Sequence, residues 1–209
     1  MMKQTVLLSR RSLIPASAAL LALAGCGSLI GPSGPPPQIY RLAPEFPAAA
    51  GGRSVTWQLS VGRPNTTQTL DSERIALVRG AAMDYYADAQ WNDTVPRLLQ
   101  SLLAEAFERS GRIAAVAPES EGLRTDYLLT TEIRDFDAQY ESANGAPLVV
   151  VNISAKLVDG RGKVVSAREV RQTAQAAQNN VVSVVYAFDQ ATSAALSDLV
   201  TWVLQAPPP

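Results

Sequence analysis

The clearest pattern along the chain is an apolar stripe with helical spacing, which predicts an amphipathic helix packed on a core. Asn92 to Thr94 offer capping side chains, and Ser110-Gly111 supplies a stop. The stripe comprises Val95, Leu98, Leu99, Leu102, Leu103, Ala106 and Phe107. A second long helix is predicted from about Val181 to Gln205, followed by a disordered tail over residues 207–209.

Strict alternation of apolar and polar residues predicts strands in the rest of the chain. Asn144-Gly145 and the run 159–162 are turn signals that join the last three strands as hairpins. The predicted strands are Gln38–Leu42, Val55–Val61, Arg74–Val78, Met83–Trp91, Ile113–Val116, Asp126–Tyr140, Leu148–Val158 and Lys163–Thr173. In the fourth strand the alternation predicts one polar face, formed by Asp84, Tyr86, Asp88 and Gln90.

The order of strands, helix, strands and helix predicts an α+β fold. Because consecutive strands are joined by hairpin signals, we expect a largely antiparallel sheet with the two long helices packed on one face. The other face and the sheet edges then remain for partners. A single α+β domain over residues 38–206 is expected.

The N-terminus carries the marks of an exported, lipid-anchored protein. A basic segment precedes a short apolar run from Leu13 to Ala24, which is too short to span a bilayer comfortably. Leu23-Ala24-Gly25-Cys26 resembles a bacterial lipobox, in which Leu23, Ala24 and Gly25 admit the peptidase and Cys26 accepts the lipid. We therefore expect a signal peptide over residues 1–25 and a lipidated Cys26 with a flexible Gly/Pro tether over residues 26–37. An ordinary cleaved signal with an incidental cysteine is the alternative.

The route of export stays open between the general secretory and twin-arginine pathways, because Arg10-Arg11 lies within a basic segment of either type. The location after export is suggested by Gly27. Lipoproteins retained in the inner membrane of enterobacteria usually carry Asp at this position, so the likeness favours the periplasmic side of the outer membrane over the inner membrane.

Charge and composition exclude several function classes. The whole chain has a net charge of −1, and removal of the signal, with three basic and no acidic residues, leaves −4. Nucleic acid is therefore not an expected partner. The chain has no histidine and one cysteine, which excludes His-dependent catalytic triads and zinc sites built on His or Cys. We expect no cofactor, no metal site and no enzymatic activity.

A carboxylate-dependent envelope hydrolase is the enzymatic alternative, and it would depend on the acidic residues Glu132, Asp135 and Asp137. A solvated strand surface is the simpler explanation of that cluster.

The order and spacing of motifs along the mature chain resemble the ABC-type transport auxiliary lipoproteins, the PqiC-like family that accompanies Mce lipid transporters. The motifs follow the lipobox and are Tyr40-Arg41-Leu42, Tyr85-Tyr86 through Trp91, Pro96 to Leu99, Ser110-Gly111, Asp126 to Tyr140, Leu157 to Asp159, and the final helix with Ala187-Phe188 and Trp202.

This resemblance implies a non-enzymatic auxiliary role in phospholipid transport between the two membranes. The implied partners are an Mce-domain protein and an MlaE-like ABC permease with its ATPase. Phospholipid and a homo-oligomeric ring of subunits are further candidates. Candidate partner-binding residues are Tyr86, Asp84, Asp88 and Gln90, while an envelope scaffold or activator of cell-wall or secretion machinery is the alternative function.

Overall fold

Within the residues that the structure describes, the chain forms eight strands and two long helices in the order that the sequence pattern predicts. The computed structural model describes residues 35–46, 54–142 and 144–207. The elements are β1 Gln38–Tyr40, β2 Val55–Val61, β3 Arg74–Arg79, β4 Ala82–Trp91, α1 Val95–Arg109, β5 Ile113–Pro118, β6 Tyr127–Tyr140, β7 Leu148–Asp159, β8 Val164–Gln175 and α2 Val181–Val203, with a short 3-10 turn at Glu119–Glu121. The predicted α+β class is confirmed.

Strand β6 organises the sheet because three other strands pair with it. Along one edge, β7 runs antiparallel from Tyr127↔Asp159 to Gln139↔Leu148, and β8 continues the meander. The other edge is divided between β2, which pairs near the start of β6, and β3, which pairs near its end. β5 flanks β2, while β4 and then β1 flank β3.

The sheet is mixed. The long ladders β6–β7 and β7–β8 and the β3–β4 hairpin are antiparallel, as the turn signals predict. The shorter ladders β1–β4, β2–β5, β2–β6 and β3–β6 are parallel. These parallel pairs join strands that are not consecutive, so no turn signal announces them.

Both helices lie against one face of the sheet and bury their apolar stripes there. The centre of this core is aromatic: the Phe188 ring of α2 lies 5.2 Å from the Trp91 ring of β4 and 4.7 Å from the Phe136 ring of β6, centroid to centroid. These packed rings tie α2 to two separate strands. No helix of the described residues is both long and apolar enough to cross a membrane.

Local chemistry fixes the helix ends and one of the hairpins. α1 stops where Gly111 adopts φ +61°, a left-handed conformation that favours glycine, and α2 starts where Asn180 Oδ1 accepts a 2.9 Å hydrogen bond from the Ser183 N–H. In the β7–β8 turn, Asp159 Oδ1 accepts the backbone N–H groups of Lys163 and Arg161 at 2.9 Å each. These bonds hold the pKa of Asp159 below its ordinary value, and the bond from Lys163 has the largest effect.

Candidate functional site

The predicted lipidation site lies outside the described residues. Cys26 and the lipobox residues Leu23, Ala24 and Gly25 belong to this part of the chain, as does the tether up to residue 34. Their roles therefore stay predictions. The chain from Pro36 onwards forms one compact unit, and its first strand, β1, runs parallel to the end of β4 with Tyr40 opposite Trp91.

The four candidate residues of β4 do not share one face, and this part of the prediction is wrong. A register shift is the reason: Arg74 pairs with Gln90 but Ala76 pairs with Tyr85, so five steps along β4 match two along β3. An irregularity of this size breaks the strict alternation on which the prediction relied.

The side chains on either side of this irregularity confirm the break. The guanidinium of Arg74 lies 3.6 Å from the centroid of the Tyr85 ring, which places Tyr85 on the sheet face that Arg74 and its partner Gln90 share. Tyr86 points to the opposite face, that of the helices. Asp84 and Asp88 are both exposed and remain available to a partner.

Tyr86 takes part in a chain of hydrogen bonds that links β4, the end of β6 and the residues before α2. Its hydroxyl lies 2.6 Å from the Tyr140 hydroxyl of β6, and the Tyr140 hydroxyl donates to Asn179 Oδ1 at 2.9 Å, just before α2. The Arg79 guanidinium stands 4.9 Å from the Tyr140 ring centroid. Burial, with the Tyr140 hydrogen bond, raises the pKa of Tyr86 far above its ordinary value, so the hydroxyl stays neutral. The hydroxyl is therefore used within the fold, whereas the partly exposed ring is open to contact.

The sheet face without helices, here called the open face, carries two ion pairs among the described residues, and both connect β6 with β8 across β7. Arg134 of β6 reaches Glu169 of β8 at 2.8 Å, and Arg171 of β8 reaches Asp135 of β6 at 2.7 Å. Asn152 of the intervening strand donates to Asp135 at 2.9 Å. Asn152 is buried, although the alternation places it on the outward side of its strand.

The three acidic residues of the hydrolase hypothesis lie in three different environments. Glu132 is exposed and lines a cleft, Asp135 is held by Arg171 and Asn152, and Asp137 is only 2% exposed. Burial raises the pKa of Asp137, and its Oδ1 has no hydrogen-bond partner in the described part of the chain. Among the described residues, no three His, Cys, Asp or Glu side chains form a group that could hold a metal ion.

The cleft beside Glu132 lies on the open face, where β6 changes partner from β2 to β3. The segment after β2 continues along β6 through backbone hydrogen bonds at Asn65, whose N–H donates to the Thr131 carbonyl at 2.9 Å. The resulting cleft has a volume of about 590 Å³, and the described residues that line it carry polar side chains apart from Ile133. The sequence does not predict this cleft, because the alternation of residues in β6 does not reveal that β2 and β3 share one of its edges.

A second surface combines α2 with residues 41–46, which cross the helices after β1. The Ala43 N–H donates to Asp189 Oδ1 at 2.7 Å, and the Ser193 hydroxyl donates to the Glu45 carbonyl at 2.9 Å. Burial raises the pKa of Asp189 despite the bond from Ala43. Tyr186, 63% exposed, lines the groove between this segment and α2. Such an exposed tyrosine is typical of contact surfaces, and the core stripe of α2 gave no sign of it.

A protein-family model matches most of the chain. The family model described as "ABC-type transport auxiliary lipoprotein component" matches residues 40–200. The chain is also 27% identical, over 185 residues, to the uncharacterized protein bll6063 of Bradyrhizobium diazoefficiens. That alignment covers 88% of this chain and 50% of the relative, so the chain spans about half the length of the curated relative that it matches.

Solved structures support the fold. Protein XCC0632 of Xanthomonas campestris, assigned to the family model DUF330, superposes with a TM-score of 0.75 at 29% identity, covering 80% of this chain and 94% of that one. The crystal structure of an uncharacterized protein superposes with a TM-score of 0.64 at 14% identity, covering 81% and 99% of the two chains. The second likeness concerns the fold alone.

Proposed function

The chain belongs to the ABC-type transport auxiliary lipoprotein family, and from this we propose that it is a non-enzymatic outer-membrane lipoprotein serving an Mce/ABC-type phospholipid transport system across the periplasm. The observation that carries the proposal is the family match, which spans nearly the whole folded domain. An auxiliary component needs an anchor and a binding surface, and it needs no catalytic centre of its own.

The anchor is acylated Cys26, and the tether determines how far the domain stands from the membrane. Eleven residues separate Cys26 from β1. At full extension they reach about 35–40 Å. This length lets the domain meet a partner in the periplasm while it stays attached to the outer membrane.

The protein partners are an Mce-domain protein and an MlaE-like ABC permease with its ATPase. The contact that we propose on this chain includes Asp84 and Asp88, whose side chains are exposed. Gln90, which lies on the sheet face opposite to that of Tyr86, is a further candidate. Tyr86 contributes the exposed part of its ring and holds β4 in place through Tyr140. A homo-oligomeric ring would multiply these contacts, and the edges of β5 and β8 that have no strand partner among the described residues are suited to it.

The test is affinity purification of the tagged full-length lipoprotein from gently solubilised envelopes, with co-purified proteins identified by mass spectrometry. We expect an Mce protein and its permease and ATPase. The variant pair Asp84→Asn with Asp88→Asn should reduce their recovery, while Glu121→Gln, an acidic change in the 3-10 turn, should not. Recovery of cell-wall or secretion proteins without an Mce partner would contradict transport and support the scaffold function.

A further inference from the structure

The cleft on the open face is built from two neighbouring strands and the segment that follows β2. Thr130 of β6 pairs with Lys156 of β7, and Glu132 pairs with Ser154, so these four side chains share one face. Asn65, which bridges to Glu132, and Thr67 close the cleft on the other side. The lining thus presents hydroxyl and amide groups around one ammonium and one carboxylate.

The ammonium of Lys156 and the carboxylate of Glu132 both lack an ion-pair partner among the described residues. The third charged side chain of the cleft, Arg134, is already paired with Glu169 at 2.8 Å. Lys156 and Glu132 are diagonal neighbours in the β6–β7 ladder, a relation that separates side chains by about 7–8 Å. The cleft therefore offers one positive and one negative side chain that project from diagonal positions of the same ladder.

We propose that this cleft binds a phosphoethanolamine-type zwitterion, with the phosphate on Lys156 and the amine on Glu132. The charges of such a group are joined by a short P–O–C–C–N chain, which fits between two diagonal side chains. The hydroxyl of Ser154 supplies a further hydrogen bond to a phosphate oxygen, whereas the Thr130 hydroxyl already donates to the Lys156 carbonyl oxygen at 3.4 Å. This assignment rests on the proposed function in lipid transport and specifies a headgroup for it.

The charges of the cleft favour a zwitterion over the two simpler ligands. A plain anion would meet Glu132 as well as Lys156, and like charges at this distance repel. An acyl chain would need a continuous apolar lining, whereas the described residues that line the cleft carry polar side chains apart from Ile133. The headgroup alone therefore occupies the site, and the acyl chains of a lipid stay outside it.

The experiment is a titration of the full-length chain in detergent micelles with two soluble headgroups, glycerophosphoethanolamine and glycerophosphoglycerol, followed by calorimetry and phosphorus NMR. The unaltered chain should prefer the ethanolamine form. Lys156→Gln should weaken binding of both by about tenfold or more. Glu132→Gln should weaken the ethanolamine form alone and so erase the preference.

Matched controls exist for both variants. Lys163 is the other lysine of the mature chain and lies at the β7–β8 turn, so Lys163→Gln should bind like the unaltered chain. Glu121→Gln serves the same purpose for Glu132. Circular dichroism checks that each variant is folded, which is expected because both cleft side chains are exposed. Equal binding of the two headgroups, or a Lys156→Gln variant that behaves like Lys163→Gln, would overturn the assignment.

Two further experiments are needed. One distinguishes a lipid from a soluble ligand, and the other distinguishes the headgroup site from the transport function. Phosphatidylethanolamine in mixed micelles should compete with the soluble form if a lipid is the source; binding of the soluble form without competition would keep the chemistry and assign a soluble phosphodiester. Affinity purification distinguishes the two proposals. If the unaltered chain binds neither headgroup but still recovers its Mce partners, as Lys156→Gln also does, the headgroup site is overturned and the transport function stands.

Discussion

The two faces of the sheet are stabilised by different interactions. This difference separates the residues that stabilise the fold from those that are available to bind a ligand. The face covered by the helices is held by packed rings, with Trp91 and Phe188 fully buried and in edge-to-face contact. The open face carries ion pairs whose side chains are about half exposed, such as Arg134 with Glu169. Burial of apolar area stabilises by about 25 cal/mol per Å², whereas exposed ion pairs contribute about 0–1 kcal/mol.

The open face therefore holds residues that can change without loss of the fold, and it is the face that presents a polar cleft. The covered face leaves few residues free for a ligand because its side chains fill the core. Substitutions on the covered face should reduce stability, and substitutions on the open face should change binding. The loss of stability should be largest for a ring in the core.

Phe188→Ala should lower the free energy of unfolding by about 3–5 kcal/mol, because it removes the ring that contacts both Trp91 and Phe136. The measurement is urea denaturation followed by circular dichroism. Val182→Ala in the same helix is the control, since Val182 is 66% exposed and surface substitutions usually change stability by no more than about 0.5 kcal/mol. Similar losses for the two variants would show that α2 does not pack as described.

Tyr86→Phe should cost less, about 0.5–1.5 kcal/mol, because it removes one hydrogen bond and retains the ring. Tyr140 keeps its bond to Asn179, so no buried hydroxyl is left without a partner. Denaturation measures the loss, and affinity purification measures partner recovery. If Tyr86→Phe loses its partners while Tyr140→Phe, which breaks the same bond from the other side, retains them, the Tyr86 hydroxyl itself would contact the partner.

The elements of this comparison differ in how far the sequence predicts them. The stripe of α1 and the alternation of β2 predict their elements closely, because each buries one regular face. The parallel pairing of β6 with β2 and β3 depends on contacts between distant segments and leaves no local pattern. The prediction of one shared polar face on β4 was wrong because the register shift arises in the pairing with β3, which the alternation of β4 does not reveal.

The same reasoning explains why the site was found only in part. Tyr86 and the two aspartates of β4 are polar residues in a strand pattern, so the sequence singles them out without revealing that Tyr86 turns towards Tyr140. Lys156 and Glu132 belong to different strands and come together only through the β6–β7 register. A cleft formed by three separate segments needs the tertiary structure to be seen.

Asp137, like Asn152, is buried on the open face, and its carboxyl group should make stability depend on pH. Burial raises its pKa in the folded state above the ordinary value of 3.8. Its contribution to stability is therefore fully present below that value and is lost as the pH rises through the raised pKa. Asp137→Asn should raise the melting temperature at pH 7 relative to the parent and have less effect near pH 4. An equal shift at both pH values would contradict this explanation.

The smallest effect should come from Glu169→Gln, which removes the partner of Arg134 on the open face. Both side chains of this pair are about half exposed, at 45% and 50%, so solvent screens their attraction and we expect a loss of no more than about 1 kcal/mol. Denaturation at low salt and at 1 M salt measures it, and the difference from the parent should shrink as salt rises. The freed Arg134 then adds a second cation to the cleft, so glycerophosphoglycerol should bind better than it does to the parent. A loss of several kcal/mol that salt does not change would instead assign the open face to the structural core and remove the contrast between the two faces.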